Sequence, residues 1–262
     1  MGHFDPDEFV DYFPEEQFMA DKKPEAPKTE VVDWQKQLND MAIATAAAEK
    51  PSGNWVSFKS GVLSIGGNQI KGNKIDVVVV QSLFENQWYK ERYDSANPQT
   101  PHCFALAELD DDLRPHPDSA EPQSETCEAC PKNQWKSDPD GGKGKACKNV
   151  RRLAMVAAAD LAEIKDAAVA IAKLPVMSVK NWSTYANQIA NVLKVPPLAV
   201  ITNMSVTPDV RSQFVVNFEL VDRISDGAVI QGLLQKRKDI QPLIFSGYDK
   251  PSEAAEPVAR KF

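Results

Sequence analysis

The chain has 262 residues, 42% of them hydrophobic and 26% charged, a size that closes a core without disulfides. No apolar run approaches the roughly 20 residues of a membrane-spanning helix, so a helical span is excluded and no membrane partner is expected. Acids outnumber bases by 37 to 30, for a net charge of -7, an average that argues against nucleic acid until its distribution is seen.

The N-terminus, MGHFDPDEFVDYFPEEQF, is acidic where a signal peptide is basic, so no secretory or mitochondrial address is read and a cytoplasmic place is expected. Residues 1–28 combine four prolines with Phe4, Phe9, Tyr12, Phe13 and Phe18, and nine acids fall within the first 30 residues. Such a mixture seldom builds a core, and the segment reads as an acidic arm available for docking. Over 29–50, Val31, Trp34, Leu38 and Met41 recur at helical spacing, which predicts an amphipathic helix stopped by Pro51-Ser52-Gly53.

Residues 51–248 change period. Short strands are predicted at Trp55 to Ser60 and Val62 to Ile65, with a turn at Gly66-Gly67-Asn68. Ile75 to Phe84 reads as a buried strand around its Val77 to Val80 run. A further strand, Gln87 to Tyr93, is predicted to turn Trp88, Lys90 and Arg92 to one face and Tyr89, Glu91 and Tyr93 to the other. Seven prolines and all four cysteines then fall between about 98 and 150, which reads as an insertion outside the sheet. Leu153 to Ala159 and Ala167 to Leu174 are apolar and ambiguous between strand and helix. Ser178 is read as the N-cap of a helix whose buried face is Trp182, Tyr185, Ile189 and Val192. A hairpin across Thr207-Pro208-Asp209 and a helix over Ala228 to Asp239 follow, and 249–262 reads as a flexible polar tail. The expected class is mainly β with flanking helices, α+β. The order of strands, helix and two more strands is compatible with an OB-fold-like barrel carrying a zinc-binding insertion.

Cys103, Cys127, Cys130 and Cys147 have the spacing C-x23-C-x2-C-x16-C. A C-x2-C pair supplies two thiolates from one tight turn, and the segment has little apolar content to order it otherwise, which favours structural Zn2+. Two disulfides or free thiols are the other readings, zinc being favoured over both and disulfides being unlikely in a cytosolic chain of this size. His102 is a possible substitute ligand beside Cys103. Catalytic zinc is rejected: the H-x-E partner of a deaminase is missing, and four thiolates leave no open position. No G-x-x-x-x-G-K-[ST], G-x-G-x-x-G or G-x-S-x-G occurs, so no enzyme is expected. Gly141-Gly142-Lys143-Gly144-Lys145 reads as a flexible basic loop able to meet phosphates.

Charge is segregated. Residues 105–130 hold eight acids against Arg114, whereas Lys132, Lys136, Lys143, Lys145, Lys148, Arg151 and Arg152 crowd into 132–152 against Asp138 and Asp140. Cations interleaved with aromatic rings suit single-stranded nucleic acid, and those seven, with Trp88, Lys90, Arg92 and Trp135, form the candidate binding set. Trp55, Phe58 and Phe104 are further stacking candidates or core residues; Trp182, Tyr185, Phe214 and Phe218 are assigned to the core.

The runs Pro101-His102-Cys103-Phe104-Ala105, Cys127-Glu128-Ala129-Cys130-Pro131, Asn133-Gln134-Trp135 and Gly142-Lys143-Gly144-Lys145-Ala146-Cys147-Lys148 resemble phage single-stranded DNA-binding proteins with a zinc-bearing OB-fold, over roughly 50–220. The resemblance implies that the cysteines hold zinc, that the adjacent groove holds DNA, and that the protein acts in phage replication or recombination, within the host cell cytoplasm. Such proteins usually end in an acidic tail, whereas residues 249–262 carry three acids and three bases; here the acid is N-terminal, and replication or recombination proteins are expected to dock there. The alternative is a zinc-stabilised protein-interaction or transcription-regulating module without direct DNA binding. A virion or anti-defence component is a third reading.

Overall fold

The computed structural model describes residues 55–91 and 99–248, and a short helical piece at Trp34, Lys36, Gln37, Leu38, Asp40 and Met41. That piece belongs to a separate unit, residues 1–50. It falls within the predicted amphipathic helix, with Trp34, Leu38 and Met41 exposed. The arm 1–28, the tail 249–262 and Arg92 with Tyr93 lie outside the described residues.

The second unit is mainly β, a curled mixed sheet with a few helices. Strands β1 (Trp55–Ser57), β2 (Ser64–Ile65) and β3 (Asn68–Gln69) open it. Ile65 pairs with Asn68 across Gly66-Gly67, whose positive φ angles of 56° and 84° are those of the hairpin turn that glycine adopts without strain. Then come β4 (Lys74–Trp88), β5 (Cys103–Ala107), β6 (Lys148–Ala157), β7 (Ala170–Leu174), α1 (Val176–Gln188), β8 (Val200–Asp209), β9 (Gln213–Arg223), α2 (Gly227–Asp239) and α3 (Gln241–Ile244). The sheet order is β3-β2-β1-β7-β6-β4-β8-β9, with β5 also on β4.

Strand β4 organises the unit. One edge meets β6 along most of its length; the other meets β8 at Lys74–Val77 and β5 at Phe84–Trp88. Val77 and Val79 enter a core with Leu153, Met155, Trp182, Tyr185 and Met204, beneath α1. Val78 and Val80 enter a second core on the opposite face, with Ile171, Leu233 and Ile244, beneath α2 and α3. The register then slips, Val79 pairing with Met155 and Gln81 with Ala154. Such a bulge gives two successive residues to one side, so after it the odd positions Leu83, Glu85 and Gln87 lie on the α2 side. The even positions Phe84, Asn86 and Trp88 turn toward the cysteine segment.

Several sequence expectations change. Ile75 to Phe84 and Gln87 to Tyr93 are not two strands: β4 is continuous through the polar Glu85-Asn86-Gln87 and ends at Trp88. The insertion is not wholly outside the sheet, because Cys103–Ala107 pairs with the second half of β4. Both ambiguous apolar runs contribute strands, β6 and β7. Ser178 does not cap α1, which begins at Val176 after Pro175; its buried Oγ instead accepts the Val216 N–H at 2.9 Å. A π turn at Ile189–Leu193 shifts the helical phase, leaving Val192 exposed. The last hairpin turns after Asp209, whose carboxylate accepts the N–H groups of Arg211 and Ser212.

Candidate nucleic-acid interface

Successive side chains of a strand point to opposite sides, so Cys103 at the start of β5 faces inward while His102 does not. Cys147, immediately before β6, reaches the same place from the other side of β4. Cys127 and Cys130 arrive on a knuckle whose carbonyls are held by one residue: Asn133 donates its side-chain Nδ2 to Cys127 O at 2.9 Å and its backbone N–H to Cys130 O at 3.0 Å. Gln134 adds Nε2 bonds to Glu128 O and Cys130 O.

All four thiols are free and buried. They border one cavity of about 10 Å³ with Asn86, Trp88 and Asn133, room for about one small species. Burial pushes the Cys103 and Cys127 thiols up and that of Cys147 up to about 12, with the charges of the neighbouring sulfurs adding to each shift. Four thiols so placed resist ionising together unless a cation compensates them. Four thiols bordering one small cavity are, by their chemistry, a donor set that zinc takes. No group of three or more His, Cys, Asp or Glu among the described residues has the spacing of a formed metal site. His102 is a correction: it does not border the cavity, its ring standing edge-on to Trp88 at 6.1 Å and its Nδ1 accepting the Lys90 N–H at 3.4 Å.

Beside the cysteines lies a groove of about 640 Å³. Trp88 at the end of β4 and Tyr89, Lys90 and Glu91 just after it line one side, and the segment from Lys132 to Lys148 supplies those two lysines together with Asp138 and Asp140. Lys132 Nζ stands 5.3 Å from the Trp88 ring centre. Lys90 Nζ pairs with Glu121 at 2.9 Å, at the surface. The groove therefore unites Trp88, Lys90, Lys132 and Lys148 of the predicted set. The predicted alternation fails at Tyr89 and Glu91, which line the same groove because the strand has ended.

The remaining predicted residues divide. Trp135 is 74% exposed, with Lys145 Nζ 5.5 Å from its ring centre. Lys136 and Lys143 are exposed but do not line the groove. Arg151 lies over the Phe84 ring at 3.2 Å and is half-buried, which lowers its pKa. Arg152 is overturned as a surface contact: it is 1% exposed and bound to Glu85 inside the molecule. Of the further stacking candidates, Phe58 and Phe104 are core residues, while Trp55 is partly exposed.

The glycine loop also differs from expectation. It closes around Asp138, which accepts the Gly141 N–H at its carbonyl and the Asp140 N–H at its carboxylate. A Cβ added at Gly142 or Gly144 would stand 3.3 Å from Asp138 Oδ2. A carboxylate thus holds the place read as meeting phosphates. Sequence reasoning also missed Tyr89, assigned to the opposite face, and the side chains of Asn133 and Asn149, whose partners are distant in sequence.

No protein-family model, curated protein or solved structure matches the chain.

Proposed function

We propose that the chain is a non-enzymatic single-stranded nucleic-acid-binding protein, DNA being the expected strand, with one structural zinc ion held by Cys103, Cys127, Cys130 and Cys147. The observation that carries this is the groove, which gathers two aromatic rings and three lysines, with Glu91, Asp138 and Asp140 among them, from segments more than 40 residues apart in sequence. Lysines meet the phosphates there while Trp88 and Tyr89 offer ring faces to bases.

The topology supports the same reading. β4, β6, β7, α1, β8 and β9 follow the strand and helix order of an OB-fold, with the helix between the third and fourth strands and β4 paired to β8. In that reading the cysteine segment occupies the connection between the first and second barrel strands, a connection through which OB-folds hold oligonucleotides. Zinc cross-links a segment that has only a small apolar cluster of its own. The resemblance of the cysteine segment extends the proposal to phage replication or recombination.

The test is fluorescence anisotropy with labelled single- and double-stranded oligonucleotides over a salt series. Salt-dependent binding of the single strand alone is expected; equal affinity for both forms, or none for either, rejects the function. Metal analysis is expected to give about one zinc per chain. A metal-free, fully stable protein, or a Cys127→Ser variant with undiminished zinc, rejects the metal.

A further inference from the structure

The cysteine cavity and the basic surface meet at one side chain. Asn133 holds both carbonyls of the Cys127–Cys130 knuckle, as described above. Its remaining side-chain polar atom, Oδ1, accepts hydrogen bonds from Lys145 Nζ at 3.2 Å and from Asn149 Nδ2 at 2.9 Å. Lys145 Nζ also donates to Asn149 Oδ1 at 3.0 Å, and Asn149 Nδ2 reaches Asn86 Oδ1 on β4 at 2.5 Å. Asn86 borders the cysteine cavity in turn. A planar amide can donate on one side and accept on the other, and here donation secures the metal-side turn while acceptance fixes the lysine that stands over Trp135.

We propose that Asn133 is a positioning residue that couples the two sites, so that metal in the cysteine cavity tightens nucleic-acid binding and nucleic acid tightens metal binding by the same factor. The inference rests on the nucleic-acid reading and on zinc as the ion of the four cysteines. Its physical content is a shared constraint. Drawing the knuckle in around a cation fixes the Asn133 amide plane, and that plane fixes Lys145 beside Trp135. A strand engaging Lys145 and Trp135 returns the same constraint to the knuckle. Reciprocity is then required by linkage, since each ligand's effect on the other is one coupling free energy. Gln134 provides an internal contrast, because it clamps Glu128 O and Cys130 O and no hydrogen bond joins it to Lys145 among those described.

The experiment uses the full chain and measures zinc affinity against a chromophoric chelator with and without a saturating single-stranded oligonucleotide, and oligonucleotide affinity with and without zinc. For the wild type, both ratios are expected to agree at about fivefold or more. Asn133→Ala is expected to bring both toward one. Lys145→Met, which removes a donor to Asn133 Oδ1 but leaves both Asn133 bonds to the knuckle carbonyls, is expected to abolish the coupling and to lower zinc affinity without oligonucleotide less than Asn133→Ala does. Gln134→Ala is expected to weaken zinc and keep the coupling. A wild-type ratio of one with both ligands bound overturns the coupling alone. Undiminished coupling in Asn133→Ala or in Lys145→Met overturns the route, and the lysine variant decides it should the asparagine variant not fold. A wild type that binds zinc but no oligonucleotide overturns the function and the coupling together.

Discussion

Arg152 and Glu85 meet across β6 and β4 in a two-pronged ion pair, Nε to Oε2 at 2.9 Å and Nη2 to Oε1 at 2.7 Å, with both side chains sealed from solvent. Arg152 Nη1 also donates to the carbonyls of Ile244 and Ser246, and the Tyr248 hydroxyl donates to Glu85. The pair therefore fastens the end of the described chain to the middle of the sheet. A buried pair broken on one side leaves an uncompensated charge, so Arg152→Met is expected to cost about 3–5 kcal/mol in urea denaturation. Replacing both partners by apolar residues of similar volume is expected to cost much less. Burial would raise the Glu85 pKa, but the Arg152 hydrogen bonds and charge outweigh it and hold the carboxyl below its usual 4.5. With a depressed carboxyl, the unfolded chain binds more protons just below pH 4.5. The pair's contribution is therefore complete above that pH and is lost as pH falls through the folded value. Glu85→Gln is expected to lack this acid-side loss.

Lys173 works in the opposite pH range. Its ammonium stands 4.0 Å from the Tyr248 ring centre and 4.8 Å from that of Trp55. Burial lowers its pKa to about 8, with Glu85 opposing and Arg152 reinforcing the shift. Between about 8 and the ordinary 10.5 the unfolded chain holds a proton that the folded chain has released, so this group's contribution to stability rises with pH across that window. The buried thiols shift in the other sense, which makes the difference between wild type and Lys173→Met the quantity to measure. That difference, from chemical denaturation at successive pH values, is expected to move in favour of the wild type from pH 8 upward.

In the groove and on the neighbouring surface around Trp135, rings and cations have separable signatures. Trp88→Ala and Trp135→Ala are each expected to lose about 1–3 kcal/mol of binding, the scale of one stacked base, with the salt slope retained. Lys148→Ala is expected to weaken binding to all sequences and reduce the salt slope by about one unit. Anisotropy titrations at four or more salt concentrations resolve the two. A tryptophan variant that changes only the slope removes stacking from the proposal.

Asp138 places a negative charge where a strand would run. Asp138→Asn is expected to tighten oligonucleotide binding at low salt, with the gain shrinking as salt screens the charge over about 10 Å at 0.1 M. Gly144→Ala, which crowds the same carboxylate, is expected to disturb the loop without that salt signature. Unchanged low-salt affinity in Asp138→Asn excludes the carboxylate as a brake on binding.

The sequence carried the elements whose signals are local. Gly66-Gly67 marks its hairpin because only glycine takes two successive positive φ angles freely, and Trp182, Tyr185 and Ile189 show the buried face of α1. The four cysteines and the lysines around Trp135 were legible as a pattern, and the fold brings the thiols to one cavity. Hidden were features decided by partners far along the chain. Glu85-Asn86-Gln87 looks like a break between strands until Arg152, 67 residues later, supplies the countercharge that allows burial. The same partnership withdraws Arg152 from a basic run in which nothing local distinguishes it from Lys148. The Val77 to Val80 run announces burial but conceals the bulge, since four valines read alike in either register, and the bulge decides which residues face the cysteines.

The central position of β4 has a consequence for synthesis. Its partners come later: Asp76 waits for Asn203, 127 residues downstream, and Glu85 for Arg152. Until those segments have left the ribosome, four consecutive valines with no charge among them remain an open template for strand pairing with other chains. Closing such long loops is slow, because their entropy must be given up before any distant contact forms. Yield from translation should therefore respond to temperature and to chaperone supply more steeply than the stability of the finished fold does. Lys74 and Asp76 at the head of the strand stand where gatekeeper charges limit such pairing until Asp76 meets Asn203.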